Sequence, residues 1–309
     1  MFKNTFYAVF ISLIWMLHGC NSEVSDKKVT AYLTVLGTIQ DAGYPHINHP
    51  EEFEKTGEQQ LVTSLGLVDA VHKKKWLFEA TPDMPLQLHD LASNHLKSNV
   101  IIDGIFLTHA HIGHYTGLMY LGREAMGARQ INVYAMPRMK SFLESNGPWD
   151  QLVKLQNIRL KSLKNEQAIS LTNNLSVTPF TVPHRDEYSE TVGYRIQGPS
   201  KTALFIPDID KWSVWEKDLV TEIKNVDVAF LDATFLADGE ISRPMEEVPH
   251  PFIEETVMLL KDQPQSIRDK VIFIHFNHSN PVIDPRNKQR KELEKQGYRF
   301  AQLGTVFPL

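Results

Sequence analysis

Three histidines fall within six residues in Thr108-His109-Ala110-His111-Ile112-Gly113-His114, directly after the apolar, branched run Ile101 to Leu107. Neutral imidazole is the commonest side-chain ligand for divalent metals, so this spacing points first to metal chemistry. The apolar run reads as a buried strand, and the segment after such a strand is where sites are usually built. On extended backbone, side chains two apart point the same way, so His109 and His111 can grip one ion. His114 comes after Gly113, where the chain turns toward the helical-looking stretch 116–126. Its ring is expected to face a neighbouring position, as a second ion would require. Three solvated loop histidines are the alternative, which asks that three of 13 histidines gather there without a role.

Further ligand-type residues stand at three more strand-like ends. His184 closes Thr178 to Pro183, with Arg185, Asp186 and Glu187 behind it. Asp208 closes Ala203 to Pro207. His275 closes Val271 to Ile274, and His278 follows. Taken singly, each fits a hydrogen-bonded polar residue at an element end; the repetition argues for one shared centre. Cys20 is the single cysteine, which excludes an intrachain disulfide and a thiolate cage, so any ion must rest on His, Asp or Glu.

The elements that would position these residues are legible in outline. Val29 to Thr38, Leu61 to Val71, Trp76 to Ala80, Ile131 to Ala135, Leu175 to Val182, Val192 to Ile196, Ala203 to Ile206, Val226 to Leu231 and Val271 to His275 have strand-like composition. Helical patterns fit Met84 to Lys97 with Asp83 as cap, Pro137 to Ser145, Lys211 to Lys224, Phe252 to Lys261 and Pro285 to Gln296. Lys73, Lys74 and Lys75 read as a solvated hairpin tip. Tyr115, Met119, Tyr120 and Arg123 fit either a pocket wall or core packing. Strands and helices mix in both halves and no Gly/Ser linker divides them, so the pattern is that of a mixed α/β chain.

With 309 residues, 42% hydrophobic, and a net charge of −5, the chain has the composition of a globular protein and no basic stripe for nucleic acid. A small-molecule substrate is the expected partner, and the oligomeric state is left open. Residues 1–19 carry Lys3 and then an apolar run from Phe6 to Leu17, the layout of a secretory signal and short for a membrane span of ~20 residues. The ending Leu17-His18-Gly19-Cys20 resembles the lipobox of bacterial lipoproteins. That resemblance implies a signal peptide over 1–19, a lipidated Cys20, a tether over 20–29, and an anchor to a bacterial membrane facing the periplasm or cell exterior. A buried anchor helix with an incidental thiol is the blander reading.

The ordered set His109, His111, Gly113, His114, His184, Asp208 and His275 resembles the signature of the metallo-β-lactamase superfamily, H-x-H-x-D-H followed by His, Asp and His. Within that superfamily the chain is similar to pyrroloquinoline quinone biosynthesis protein B and its relatives. The segments that carry this are Leu36 to Pro45, Glu79 to Asp83, Leu231 to Phe235 and His275 to Pro281. The resemblance implies an αββα metallo-β-lactamase sandwich over 30–309, one domain of two similar halves, with the site at one edge of the sheets. It implies that His109, His111 and His184 hold one ion, that His114 and His275 hold a second, and that Asp208 bridges them. Gly113 stands where the signature has Asp, so one ion or two stays open. Relatives carry cysteines where this chain has His46 and His49; these read as mobile loop histidines, with a structural ion as the other option.

Such a centre implies a metal-dependent hydrolase in which a metal-bound hydroxide attacks a small ester, phosphodiester, lactone or amide. Asp208 would orient the hydroxide and His278 would give a proton to the leaving group. Zinc is the first expectation, with iron or manganese as other options. Two readings stand beside it: an iron-dependent oxygenase related to quinone cofactor biosynthesis, and a non-catalytic binding lipoprotein.

Overall fold

The strands form two sheets that repeat one plan. The computed structural model describes residues 29–54, 60–242, 244 and 248–309. In the first half, β1 (Ala31–Gly37), β2 (Ser64–Asp69) and β3 (Lys74–Phe78) run antiparallel, and β4 (Gly104–Phe106), β5 (Ile131–Ala135) and β6 (Ile158–Ser162) continue parallel to β3. In the second half, β7 (Ile169–Thr172), β8 (Leu175–Thr181), β9 (Val192–Gln197) and β10 (Thr202–Ile206) are antiparallel, with β11 (Val228–Asp232), β12 (Val271–Ile274) and β13 (Arg299–Phe300) parallel to β10. The carboxyl-terminal β14 (Val306–Pro308) crosses back to the outer edge of β1, so each sheet has seven strands.

Packing follows from strands that are buried on both faces. In β10, Ala203 and Phe205 join the core between the sheets, while Leu204 and Ile206 join the layer beneath the helices; in β12, Ile272 and Ile274 face inward, and Val271 and Phe273 outward. Strands with two dry faces need apolar residues at every position, which is why these segments read as continuous apolar runs. The inner layer is anchored by the buried rings of Phe78, Phe106, Phe205 and Phe230, each contributing about 1.5–3 kcal/mol on leaving water.

Helices cover both outer faces. The first half adds α1 (Pro50–Phe53), α2 (Met84–Asp90), α3 (Ile112–Tyr115), α4 (Pro137–Ser145) and α5 (Trp149–Lys154). Met84, Leu88, Met139, Leu143 and Leu152 close over Leu77, Ile105 and Val133. The second half adds α6 (Leu219–Lys224), α7 (Ile253–Leu260), α8 (Gln265–Arg268) and α9 (Lys288–Lys295), whose Leu219, Ile223, Ile253 and Leu260 lie over Leu204, Leu231 and Phe273. Helix, sheet, sheet and helix thus stack as the expected αββα sandwich.

Several local expectations change. The helix expected over Lys211 to Lys224 is a single 3-10 turn, Trp212–Val214, and then α6; Trp212 and Trp215 turn into the core, and Asp218 starts a new helix by accepting from the Thr221 amide. α2 ends at Asp90 and passes into a π turn over Leu91–His95, short of Lys97. Lys75 is buried, not solvated: its Nζ donates to the Leu96 carbonyl at 2.7 Å and to Ser98 Oγ at 2.9 Å. Tyr115 packs against Phe142 and Trp149, on the core side of the two options. The leader expected over 1–19, and the tether with Cys20 as far as residue 28, lie outside the described residues. Among the described residues no helix is long and apolar enough to cross a membrane.

Candidate metal centre

The carboxyl ends of β3, β4, β8, β10, β11 and β12 open toward one edge of the sandwich, and their following loops deliver the site. Atoms of His109, His111, His184 and Asp208 that could each ligate an ion lie within 4.8 Å of one another. His109 Nε2 is 3.3 Å from Asp208 Oδ2, and His184 Nε2 is 3.3 Å from Asp208 Oδ1. Donors at about 2.0–2.1 Å from a tetrahedral zinc stand about 3.3 Å apart, so these separations are those of ligands around such an ion. A hydrogen bond of 2.9 Å between His109 Nδ1 and Thr108 Oγ1 occupies the far side of that ring and turns Nε2 inward, where it stands 2.8 Å from His111 Nδ1. Glu187 does the same for His111, at 3.2 Å from Nε2, leaving Nδ1 inward.

Two further groups share residues with the first. Asp208, Asp232, His250 and His275 form one, and Asp41, His114 and His275 the other. His250 Nδ1 lies 3.1 Å from Asp208 Oδ1 and 2.9 Å from Asp232 Oδ2. Thr234 Oγ1 bonds His275 Nδ1 at 2.9 Å, which turns His275 Nε2 inward. His114 is held between Glu79, 3.3 Å from Nδ1, and Asp41, 3.1 Å from Nε2. Glu79 and His275 both adopt left-handed backbone, with φ of 76° and 69°. Non-glycine residues held there carry backbone strain, and such strain gathers at functional sites.

Buried donors without partners test whether ions fit. His114 Nε2, His184 Nε2, His275 Nε2 and Asp208 Oδ1 are buried and make no well-aligned hydrogen bond, although Asp41 stands 3.1 Å from His114 Nε2, and His184 and His250 stand 3.3 and 3.1 Å from Asp208 Oδ1. Each orphaned group costs about 1–3 kcal/mol, and all four face the clusters where a cation would satisfy them together. Charge agrees with this for the first group; at His114, Glu79 and Asp41 outweigh burial and push the ring well up, so an ion there must displace a proton. Burial raises the Asp208 carboxyl, but the rings of His184 and His250 outweigh it and hold it well below the usual carboxylate range. Burial pushes His109, His111 and His275 down, keeping them neutral with a lone pair to give. His250 goes the other way: Asp232 and Asp208 overcome burial and push it up to about 10.

The family model for the beta-lactamase superfamily domain matches residues 74–276. This chain belongs to the beta-lactamase superfamily. It is 24% identical to coenzyme PQQ synthesis protein B of Gluconobacter oxydans (strain 621H), over 89% of this chain and 97% of that protein. In three dimensions it is similar to the crystal structure of Zn(2+)-bound PqqB from Methylobacterium extorquens, with a TM-score of 0.74, 21% identity, and 90% and 100% of the two chains covered. A new diphosphatase from the PhnP family superposes with a TM-score of 0.63 and 22% identity, over 90% of this chain and 98% of that one.

Of the residues singled out from the beta-lactamase superfamily signature, His109, His111, His184 and Asp208 come together in one group, and His114 and His275 in the adjoining one. His278 lies elsewhere. Its ring stacks on His46 at 4.2 Å and approaches His49 at 4.1 Å, and its Nδ1 bonds Glu52 at 2.9 Å. His46, His49 and His278 therefore form a separate cluster, and the two loop histidines are packed. Asp41, Glu79, Asp232 and His250 join the site without having been singled out. Asp232 ends β11 as Asp208 follows β10, so the strand-end rule could have found it. His250 follows Pro249 without a strand-like apolar run in the sequence before it, and nothing local marks it.

Proposed function

We propose that this protein is a metal-dependent hydrolase of small esters, with phosphodiesters first among its substrates and zinc as its metal. The observation that carries the reading is the cluster of buried, unpartnered imidazole nitrogens and carboxylate oxygen around Asp208. Bound divalent ions at such a cluster supply a hydroxide nucleophile at neutral pH and polarise the bond under attack. His109, His111 and His184 would hold one ion, His114 and His275 another, with Asp208 between them. Asp208 reaches both groups through Oδ2, which lies 3.3 Å from His109 Nε2 and 3.7 Å from His114 Nε2, while Oδ1 faces His184.

The chain's own residues then divide the work. Glu79, Thr108 and Thr234 fix the ring orientations. A cavity of about 220 Å³, lined by Gln40, Asp41, Gly43, His46, Asn277 and His278, adjoins the second group and suits a compact substrate group. His250, held by Asp208 and Asp232, takes the proton-donor role in this reading, with His278 as the alternative donor at the cavity wall. Phosphodiesters come first because the PhnP-family neighbour, a diphosphatase, is named for hydrolysis at phosphorus, the chemistry a phosphodiester shares. A larger apolar groove of about 830 Å³ between α6 and α7 shares none of these residues and is left out of the reaction.

We also propose lipidation at Cys20 and attachment to a bacterial membrane, on the sequence of residues 1–20. Loss of labelled fatty acid in Cys20→Ala checks it. For the activity, the fragment lacking residues 1–20 should hydrolyse bis-p-nitrophenyl phosphate when loaded with zinc, and His109→Ala combined with His111→Ala should abolish turnover. Undiminished turnover in that double variant would overturn the reading. Oxygen uptake by the iron-loaded protein, with no hydrolysis by the zinc form, would favour an oxygenase instead.

A further inference from the structure

The carboxylate missing from position 113 has a counterpart on another loop. Gly113 donates its amide to Asp41 Oδ1 at 3.2 Å, and the same oxygen stands 3.1 Å from His114 Nε2. A Cβ built on Gly113 would lie 2.3 Å from Asp41 Oδ1 and 2.6 Å from Asp41 Cα. Glycine at 113 is therefore what allows Asp41 to approach. An Asp at 113 and the present placement of Asp41 exclude one another.

Asp41 is held there by the fold rather than by its own neighbours. After β1 the chain forms isolated bridges from Ile39 to Val62 and from Ile39 to Phe276. Gln40 donates to the Phe276 carbonyl at 2.8 Å, and Phe276 donates to the Thr38 carbonyl at 2.9 Å. The segment before Asp41 is thus tied to the residue after His275. The Gln40 carbonyl accepts from Gly43, whose φ of 73° suits glycine, and this closes the turn that presents Asp41. The result is a three-member group, Asp41, His114 and His275, whose ligand atoms lie within 4.8 Å. Two of its nitrogens, His114 Nε2 and His275 Nε2, are buried without a well-aligned hydrogen bond.

We propose that Asp41 is a ligand of the second ion, supplying from the β1 loop the carboxylate that the superfamily signature carries at the position of Gly113. The inference rests on the metal-dependent reading above and names a residue that reading does not require. It also predicts a trade: one carboxylate, from either position, completes the second site.

The test is metal content per chain, with zinc titration and the absorption of the cobalt-loaded protein, for the full chain purified without chelator. Wild type should bind two ions. Asp41→Asn, which keeps the side-chain size and an oxygen for the Gly113 amide, should bind one tightly and the second at least about 100-fold more weakly. The double exchange Asp41→Gly with Gly113→Asp should recover two ions, whereas Asp41→Gly alone should not. Thermal melting of the metal-free proteins identifies any variant that fails to fold, and Asp41→Ala provides a second deletion of the carboxylate. Two ions bound with unchanged affinity in both Asp41→Asn and Asp41→Ala would overturn the inference while leaving the hydrolase reading in place. One ion in the wild type, unchanged by either substitution, would overturn it equally. Wild type that binds no ion would overturn the metal-dependent reading itself.

Discussion

Glu79 Oε1 stands 3.3 Å from His114 Nδ1, and both side chains are fully buried. The other Glu79 oxygen accepts from the Thr108 amide at 3.3 Å. One carboxylate therefore joins the end of β3 to the histidine segment after β4 and sets which nitrogen of His114 faces the ions. Glu79→Gln should weaken the second ion by about 10- to 100-fold and leave the first nearly unchanged. Zinc titration in the presence of a competing chelator resolves the two sites.

Histidines 250 and 278 separate two accounts of proton transfer. His250 touches Asp208 and Asp232, whereas His278 belongs to the cluster with His46 and Glu52. His250→Gln should lower kcat by about 100-fold or more with little change in KM. His278→Gln should act mainly on KM. The reverse split, read from steady-state kinetics with a phosphodiester, would assign the donor role to His278.

Removal of metal should destabilise the fold, because the inward-facing donors would lose their shared partner. A ligand at about 1,000 times its Kd adds about 4 kcal/mol per site. Zinc should therefore raise the melting temperature of the metal-free protein by about 10 °C, and the gain should be smaller in His109→Ala. Calorimetry with and without added zinc measures it.

Gly117 sits where a side chain cannot fit: its Cβ would lie 2.0 Å from the Thr81 carbonyl oxygen and 2.9 Å from that of Ala80. Its amide donates to Ala80, so the two segments cannot separate without losing that bond. Gly117→Ala should cost about 1–3 kcal/mol or more in denaturant unfolding.

Asp69 gives a pH dependence remote from the site. Burial raises its pKa, but the amide and ring of His72 and the hydroxyl of Thr172 outweigh this and lower it. A lowered carboxyl pKa adds stability above the unfolded value, about 3.9, that is lost as pH falls through the folded value. Asp69→Ala should therefore melt lower than wild type at neutral pH, and the difference should shrink below about pH 4. Melting curves across pH 3 to 7 check both parts.

The residues legible in the sequence were those whose signal is local. Continuous apolar runs ending in His109, Asp208 and His275 mark strands dry on both faces, and a strand end near a site is readable without knowing its neighbours. The edge strands β6, β7, β13 and β14 were not legible, because Arg299–Phe300 and Val306–Pro308 are too short to show a period and are strands only through what they pair with.

The histidine set, its order along the chain, and the α/β sandwich of the beta-lactamase superfamily that the set implies are readable from residue types and spacing. Which residues complete the centre depends on how distant segments pack. Asp41 lies 73 positions before His114, and its carboxylate reaches that ring because β1 extends to pair with the chain after β12. His250 enters from a loop with no periodic signal, and His278 leaves the centre for His46 and His49 because Glu52 holds its ring there. Contacts between distant segments are set by how the two sheets close on one another, and residue order does not display that closure.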